Sequence, residues 1–538
     1  MSQPKNNFHE EKKNLSEIYF AALDSVKPHK IISQKVKLNN NNLIINNEVI
    51  SVTDNVYVVG FGKAVMGMAV ALEKLLGNRL IKGIVSIPRG SKDNILNNIE
   101  PGVINYVESS FNNEPDNDTV SVTRDIIELV KSLNEIDTLI VLISGGGSAL
   151  LSMPKPPVTL DEKLSICRKL FNSGADIKEV NSIRQKLSVV KAGGLAFMAH
   201  PAYVIGLILS DIIDDPMELI ASGPTISNSI PPHVIEKIFI KYNLSSQLSD
   251  NLKKIIFSDP IIPEQINNHV KNFIIGNNSL AIENAKQECT RKGLTSVILF
   301  NNIQGLVVQI SRMYAKLCSL VCKTFNESSS MENFNASINN DPDLSLFSSK
   351  AKEIYQATKA IEGGLILIAG GEPSVLVVGS GKGGRNQELA LRFSQDWFKI
   401  SDCNQEFNSF DVILLSASTD GQDGPNDASG AFGYAEIYST AIQLLELMKI
   451  RFLNEAKDGI SNTRELIENI DVGNVLKNND SYNFYSRFKK GSDLLKTGLT
   501  GTNVMDLHFI YIKKKSLIPE SDKKNIVSLD KHNFFTDL

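Results

Sequence analysis

The sequence predicts an α/β protein built on parallel sheets with crossover helices, and three observations carry that prediction. Apolar runs of strand length alternate with longer helical patterns over most of the chain, the junctions are rich in glycine, and each of the clearest runs ends beside Gly, Ser, Asn or Asp. Those runs are residues 56–60, 139–143, 204–209, 273–275, 365–369 and 412–416. In open α/β sheets ligands sit outside the carboxyl ends of the strands, so these polar ends are where chemistry is sought.

With 538 residues, 42% hydrophobic and 22% charged, the chain has room for two or more domains. A net charge of −4 gives no basic field of the kind that concentrates a protein on nucleic acid or anionic lipid, which leaves a small-molecule ligand. Cys167, Cys289, Cys318, Cys322 and Cys403 form no C-x₂-C pair and read as reduced thiols of a cytosolic protein. Cys318 and Cys322, four apart on a helical pattern, read as core. The N-terminal MSQPKNNFHEEKKN has neither the apolar stretch of a secretory signal nor the Arg-rich, acid-poor character of a mitochondrial presequence. No run reaches the roughly 18 apolar residues of a membrane helix. The expected location is cytoplasmic, with no membrane and no nucleic-acid partner.

Three stretches interrupt the alternation. The Asn-rich tract 37–48 reads as a surface loop or hairpin. Residues 326–349, with SSS and INNDPD runs, read as a mobile insertion between two α/β units. Residues 450–490 read as an excursion from the second unit. The expected organisation is an N-terminal α/β domain over 15–322, a mobile linker over 323–350, a C-terminal α/β domain over 351–512 and a polar tail over 513–538.

Seven motifs could carry chemistry. In VVGFGKAVMGMA, Gly60 and Gly62 precede Lys63 and a helix, so backbone amides, a helix N-terminus and a full positive charge converge on an anion; the alternative is a tight βα turn with a solvated lysine. This is not a Walker A loop, since no G-x-x-x-x-G-K-[ST] occurs. In LISGGGSALL, Ser144, Gly145, Gly146, Gly147 and Ser148 follow a buried strand and suit a phosphate cradle, since three adjacent glycines are entropically costly in a generic turn. In NSIRQKLSVVKAGGLA, a helical reading of 181–196 sets Arg184, Ser188 and Lys191 on one face, either a clamp for an anion or a solvated basic face. In ILSDIIDDPMELIASGPT, Asp211 directly follows a strand, where one or two carboxylates suit Mg²⁺.

The fifth motif contains Gly379, Gly381 and Gly384 at G-x-G-x-x-G spacing, but the acidic ribose ligand of a dinucleotide site is missing: Asp402 precedes the next strand and Asp420 lies about twice too far on. Arg385, Asn386 and Gln387, opening a helix, fit a small carboxylate better. The sixth crowds Asp420, Asp423 and Asp427 among glycines, either a metal or sugar-hydroxyl site or a solvated acidic turn; it is not an EF-hand. The seventh, TGLTGTNVMDL, brings Thr502 and Asn503 ahead of a last strand.

In this order the segments resemble the MOFRL-type glycerate kinases: G-F-G-K-A, S-G-G-G-S-A-L-L, N-x-x-R-x-x-L-S with K-x-G-G-L-A, S-D with S-G-P-T, G-G-E with G-x-G-G-R-N-Q-E, T-D-G-x-D-G-P-x-D-A-S-G-A and T-G-T-N-V-x-D-L. The resemblance runs from about residue 18 to residue 511, and the ordered set is far more specific than any single motif. It implies two Rossmann-like α/β domains with the active site in the cleft between them. It also implies transfer of the ATP γ-phosphoryl group to D-glycerate with ATP and Mg²⁺, feeding serine, fructose and glycerate catabolism into glycolysis. Lys63 and Arg385 fall on the family's catalytic lysine and arginine. Gly60, Gly62, Ser144, Gly145, Gly146, Gly147, Ser148, Asn181, Arg184, Lys191, Glu372, Asn386, Thr502 and Asn503 would bind substrate or phosphate, with Asp211 or Asp420 placing the metal or the attacking hydroxyl. Two insertions depart from the compact pattern, and Ala192 stands where a glycine is expected, a substitution that a helical position tolerates. A hydroxypyruvate reductase and a non-catalytic sugar-phosphate sensor are the alternatives, and the choice of hydroxyl group and of monomer or homodimer stays open.

Overall fold

The structure is a computed structural model that describes residues 8–92, 102–110, 114–228, 230–258, 268–327, 329–360, 363–455 and 469–515. It contains two compact units: Val26–Asn277 with Gly501–Val504, and Met1–Ser25 with Asn278–Thr500 and Met505–Leu538.

The first unit opens with a small antiparallel sheet, β1 (Val36–Asn39), β2 (Asn42–Ile45) and β3 (Glu48–Ser51). The Asn-rich tract is therefore a hairpin, and its asparagines have a reason. Asn40, Asn46 and Asn47 take the left-handed backbone of the turns, which asparagine adopts more readily than other side chains. The main sheet of this unit comprises β4 (Asn55–Phe61), β5 (Leu80–Pro88), β6 (Ile104–Ser109), β7 (Asp137–Ile143), β8 (Tyr203–Leu209) and β9 (Val270–Gly276), all parallel, in the order β6-β5-β4-β7-β8-β9. The chain thus steps outward from β4 on one side, then returns to build outward from β7 on the other. Every residue of β7 is buried, as expected where both faces of a parallel sheet are covered. Helices Leu160–Asn172, Ile177–Lys186, Pro232–Lys241 and Asp250–Ile256 enclose a separate core around Leu170, Ile183, Phe239 and Ile256.

The second unit holds β10 (Thr295–Ile303), β11 (Leu365–Gly371), β12 (Phe410–Ser418), β13 (Gly430–Gly433), β14 (Leu494–Leu495) and β15 (Asp506–Lys514), in the order β10-β11-β15-β12-β13-β14. This sheet is mixed, whereas the first is parallel throughout. Only β10 and β11 pair in parallel, because β15 inserts between β11 and β12 and runs antiparallel to both. The apolar runs at β11 and β12 were legible, but the partner separating them comes from the far end of the chain.

The division of the chain also differs from the expected boundary at 322. Residues 278–322 belong with the second unit, since β10 pairs with β11, and helix His9–Ser25 packs there against helix Asn278–Arg291. Nor is 326–349 a mobile insertion. Helix Met331–Asn340 is capped by Ser330, whose hydroxyl accepts from the Asn333 amide. Phe334, Ile338, Leu344 and Phe347 are buried in one core with Trp397 and Ile510, and Phe347 stacks on Phe300 with ring centroids 5.5 Å apart. The polar composition hid these widely spaced apolar residues. Within 450–490, helices Val472–Lys477 and Ser481–Arg487 are formed, while 456–468 and most of the expected tail, from 516 onward, lie outside the described residues. Cys318 and Cys322 are core residues, with thiols pushed up by burial. Among the described residues no helix is long and apolar enough to cross a membrane.

If the 331–350 segment is core, Phe347→Ala should lower the unfolding free energy by about 3–5 kcal/mol, measured by denaturant titration. A change within about 0.5 kcal/mol, the surface value, would show the segment to be dispensable.

Candidate functional site

The order of the parallel sheet fixes where a ligand is to be sought. β4 and β7 are neighbours, but the connections leaving them run to opposite sides, so a crevice opens outside their carboxyl ends. Both glycine-rich motifs of this unit lie there. Their loops interlock: the Lys63 amide donates to the Gly145 carbonyl at 2.8 Å and the Ala64 amide to the Ser144 hydroxyl at 3.0 Å. Gly62 has φ 142°, and a Cβ there would overlap the Ser144 hydroxyl and stand 2.8 Å from its carbonyl oxygen, so only glycine lets the loops meet. Gly60 packs on Leu142 and Val85, and Gly147 on Phe61 and Ala221.

The interlock consumes some of the predicted phosphate donors. Ser144 is buried and joins the two loops. The amides of Gly145 and Gly146 have no acceptor among the described residues. Lys63 is exposed, its stem runs past Gly146, and among the described residues its ammonium group forms no ion pair. The Asp211 carboxylate lies against Gly145.

The helix predicted over 181–196 stops at Lys186, and the chain turns before a second helix, Gly194–Ala199. Ala192 sits in that turn with φ 51°, so it occupies a left-handed position and not a helical one. Lys191 points inward: it is 2% exposed, and its Nζ lies 2.9 Å from the Ser148 hydroxyl, 3.0 Å from the Ser148 carbonyl and 3.3 Å from the Ala221 carbonyl. Ser148 in turn is 3.0 Å from the Ser222 hydroxyl. Three motifs far apart in sequence, S-G-G-G-S, K-A-G-G-L-A and S-G-P-T, are thereby brought together. Arg184 bonds Asn181 at 3.3 Å and covers the Phe171 ring.

Lys163, which no sequence motif singles out, is buried and donates to Ser152 at 2.9 Å. Burial and the positive charge of Arg184 lower its pKa to about 8, with Cys167 acting the other way. Burial, then Lys163 and Arg184, hold Lys191 well below the ordinary lysine value. Lys163, Arg184 and Lys191 thus lie within electrostatic reach of one another, with the Glu114 carboxylate acting on Arg184.

In the second unit, Arg385 opens helix Arg385–Cys403, and its guanidinium is already engaged. Nε and Nη2 bind both oxygens of the buried Asp506, at 2.5 and 2.8 Å, and Nη1 lies 3.2 Å from Glu372. Burial works against the charge, but Asp506 and Glu372 more than offset it and keep the group protonated. The helix N-terminus is also occupied: Asp423 accepts from the amides of Asn386 at 3.0 Å and Gln387 at 2.8 Å, and from the Asn386 side chain at 3.2 Å. Burial pushes the Asp423 carboxyl up to about 7. The small carboxylate that this helix start was expected to bind is supplied by the protein itself. Asn386 further accepts from Ser416 at 2.6 Å.

The glycines of the G-x-G-x-x-G segment have an internal explanation too. The amides of Val378, Gly379, Ser380 and Lys382 donate to the side chains of Asn478, Asn479 and Asp480, and a Cβ at Gly379 or Gly381 would strike that segment. The three acids of the Asp420 loop take different partners. Asp420 accepts from Ser418 and Gln422, and exposed Asp427 accepts from Tyr482 and Lys496. Among the described residues no group of three or more His, Cys, Asp or Glu is gathered as a metal site. Thr502 donates to the Val26 carbonyl at 2.7 Å, and Asn503 is engaged within the fold. Asp506, the acid of T-G-T-N-V-x-D-L, was not singled out, because that motif does not say which partner the carboxylate meets; its role emerges only beside Arg385.

Two predictions follow from this geometry. Ala192→Gly should raise stability by about 0.5–1 kcal/mol by relieving left-handed strain; a loss in denaturant titration would contradict the conformation. Lys163→Met should gain most over the wild type below pH about 8, where the unfolded chain carries a charge that the folded site disfavours. The difference should shrink as pH rises toward the ordinary value of 10.5, and a pH-independent difference in melting temperature would refute it.

Comparison with known proteins gives concordant results. Residues 14–257 match a domain of unknown function, DUF4147, and residues 365–467 match the MOFRL family. The chain is 35% identical to a glycerate kinase of Danio rerio over 529 residues, covering 95% of this chain and 98% of that protein. It is 32% identical to a D-glycerate 2-kinase of Thermotoga maritima over 454 residues, covering 84% and 90%. The crystal structure of a glycerate kinase from Thermotoga maritima aligns with a TM-score of 0.69 at 30% identity, covering 94% of this chain and 100% of that one.

Proposed function

This chain belongs to the glycerate kinase family that carries the MOFRL domain, and on that premise we propose that it transfers the γ-phosphoryl group of ATP to D-glycerate with Mg²⁺. Phosphoryl transfer asks a protein mostly for positioning and for positive charge around the transferring group. The observation that carries the reading is the crevice at the ends of β4 and β7, where exposed Lys63, without an ion pair among the described residues, runs past Gly146, and the amides of Gly145 and Gly146 have no acceptor among those residues.

Arg385 is the second catalytic group of this reading. Its capture by Asp506 and Glu372 supports a rigid cation, held at one orientation before substrate arrives, and leaves Asp506 as a positioning residue. Mg²⁺ keeps much of its water and needs only one or two carboxylates beside substrate phosphates, so single acids such as Asp211 against Gly145, or Asp420, fit its demand. When bound, the ion would neutralise charge on the polyphosphate. The reductase alternative, already without an acidic ribose ligand, gains nothing from the glycine segment, since Gly379 and Gly381 are packed against residues 478–480 and Gly384 against Asp423.

Phosphorus NMR of the protein with ATP, Mg²⁺ and D-glycerate should show a phosphoglycerate signal whose coupling identifies the hydroxyl used. Lys63→Ala and Arg385→Ala should each slow its appearance on the order of 10³-fold. Unchanged ATP with folded protein, or oxidation of NADH by hydroxypyruvate without ATP, would overturn the reading.

A further inference from the structure

Lys191 has three oxygen neighbours, and their chemistry constrains its proton inventory. Two are the carbonyls of Ser148 and Ala221, which can only accept; the third is the Ser148 hydroxyl at 2.9 Å, which can donate or accept. An ammonium fills all three with N–H donors, and a neutral amine does so as well, its two N–H groups serving the carbonyls and its lone pair accepting from the Ser148 hydroxyl; burial favours the neutral form. Among the described residues no carboxylate acts on Lys191, and the basic side chains Lys163 and Arg184 both disfavour its charge.

Ser148 itself is half-buried, two residues beyond Gly146, whose amide, like that of Gly145, has no acceptor among the described residues. Its hydroxyl has a second partner, Ser222, at 3.0 Å. The turn that presents Ser222 and the Ala221 carbonyl is strained, with Ala221 at φ 50° and Ser222 at φ 63°, two successive non-glycine residues in the left-handed region. Strain of this kind costs about 1–3 kcal/mol per residue and persists where the surroundings enforce it, often at reacting sites. A serine hydroxyl within hydrogen-bond distance of a buried lysine amine and of a second hydroxyl has the parts of an activated nucleophile.

We propose that Ser148 is a nucleophile with Lys191 as its general base, and that the phosphoryl group passes through phosphoserine 148 on its way to the acceptor. The proposal rests on the reading of the chain as an ATP-dependent kinase. In the first step Lys191 takes the hydroxyl proton, the Ser148 oxygen bonds to the γ-phosphorus, and the bond from that phosphorus to the β–γ bridging oxygen breaks, releasing ADP. In the second the acceptor hydroxyl attacks the phosphoserine, the Oγ–P bond breaks, and the Ser148 oxygen regains its proton from Lys191. The acceptor's own proton passes to Lys191 and then to water, so the cycle releases one proton per turnover. The two free amides face the charge that develops on the phosphoryl oxygens.

The test is incubation of the full chain with radiolabelled ATP and Mg²⁺ without glycerate, followed by peptide mapping, an ADP–ATP exchange assay, and a chase with D-glycerate. Label on Ser148, exchange without acceptor and discharge of the label into phosphoglycerate are expected. Ser148→Ala should abolish all three, and Lys191→Arg, whose charge is permanent, should slow labelling about 10²–10⁴-fold. Phosphoglycerate formed without label or exchange, or label on another residue, would overturn the proposal and leave the kinase reading standing. Label on Ser148 without phosphoglycerate would keep the proposal and sink glycerate as acceptor. Absence of both products would sink both.

Discussion

The close approach of the loops after β4 and β7 is the constraint on which the first unit's chemistry depends. Two adjacent parallel strands end together, and their connections must diverge at the point where a ligand would sit. The protein spans that point with two hydrogen bonds, from the Lys63 amide to the Gly145 carbonyl and from the Ala64 amide to the Ser144 hydroxyl, made only because Gly62 has no side chain to obstruct them. Once the loops are joined, the Lys63 stem must pass Gly146 and the amides of Gly145 and Gly146 are left without internal partners. An anion-seeking surface results from a packing requirement, with no Walker-type sequence behind it.

The second unit arrives at charge by the opposite route, filling its polar groups from within. Asp423 occupies the start of helix Arg385–Cys403, Asp506 chelates the Arg385 guanidinium, and Asn478 to Asp480 satisfy the amides of the glycine segment. A helix N-terminus and a flexible arginine would each welcome a stray anion; here internal carboxylates meet that demand and fix the arginine's direction. The same principle separates the two catalytic candidates: Lys63 is exposed and forms no ion pair among the described residues, while Arg385 is paired with Asp506 and Glu372.

Burial of cations in the first unit needs its own account. Lys163 and Lys191 are removed from water with no carboxylate bonded to either among the described residues, which disfavours the charged form of both beside Arg184. Hydroxyls and carbonyls take the place of counter-ions: Ser152 for Lys163, and Ser148 with Ala221 for Lys191. Those partners accept or share protons without demanding a full charge, so the site keeps its positive potential only in part and gains an amine that can take a proton.

Much of this was legible in the chain itself. Every apolar run assigned from the sequence is a strand, because strands buried on both faces in a covered sheet must be almost wholly apolar. The glycine-rich ends marked Lys63 and the S-G-G-G-S loop, since tight turns at strand ends leave few other residue choices. What depended on distant partners was hidden. The insertion of β15 between β11 and β12, the inclusion of 278–322 in the second unit and the four buried apolar residues of 331–350 are pairings between remote segments, and local period does not encode them. The left-handed turn at Ala192 turned Lys191 from a surface clamp into a buried partner of Ser148, and Asp506 gained meaning only beside Arg385. Local composition therefore determined which elements form and where polar ends lie, while tertiary structure decided which charges meet, because hydrogen bonds and desolvation act between groups that only folding brings within a few ångströms.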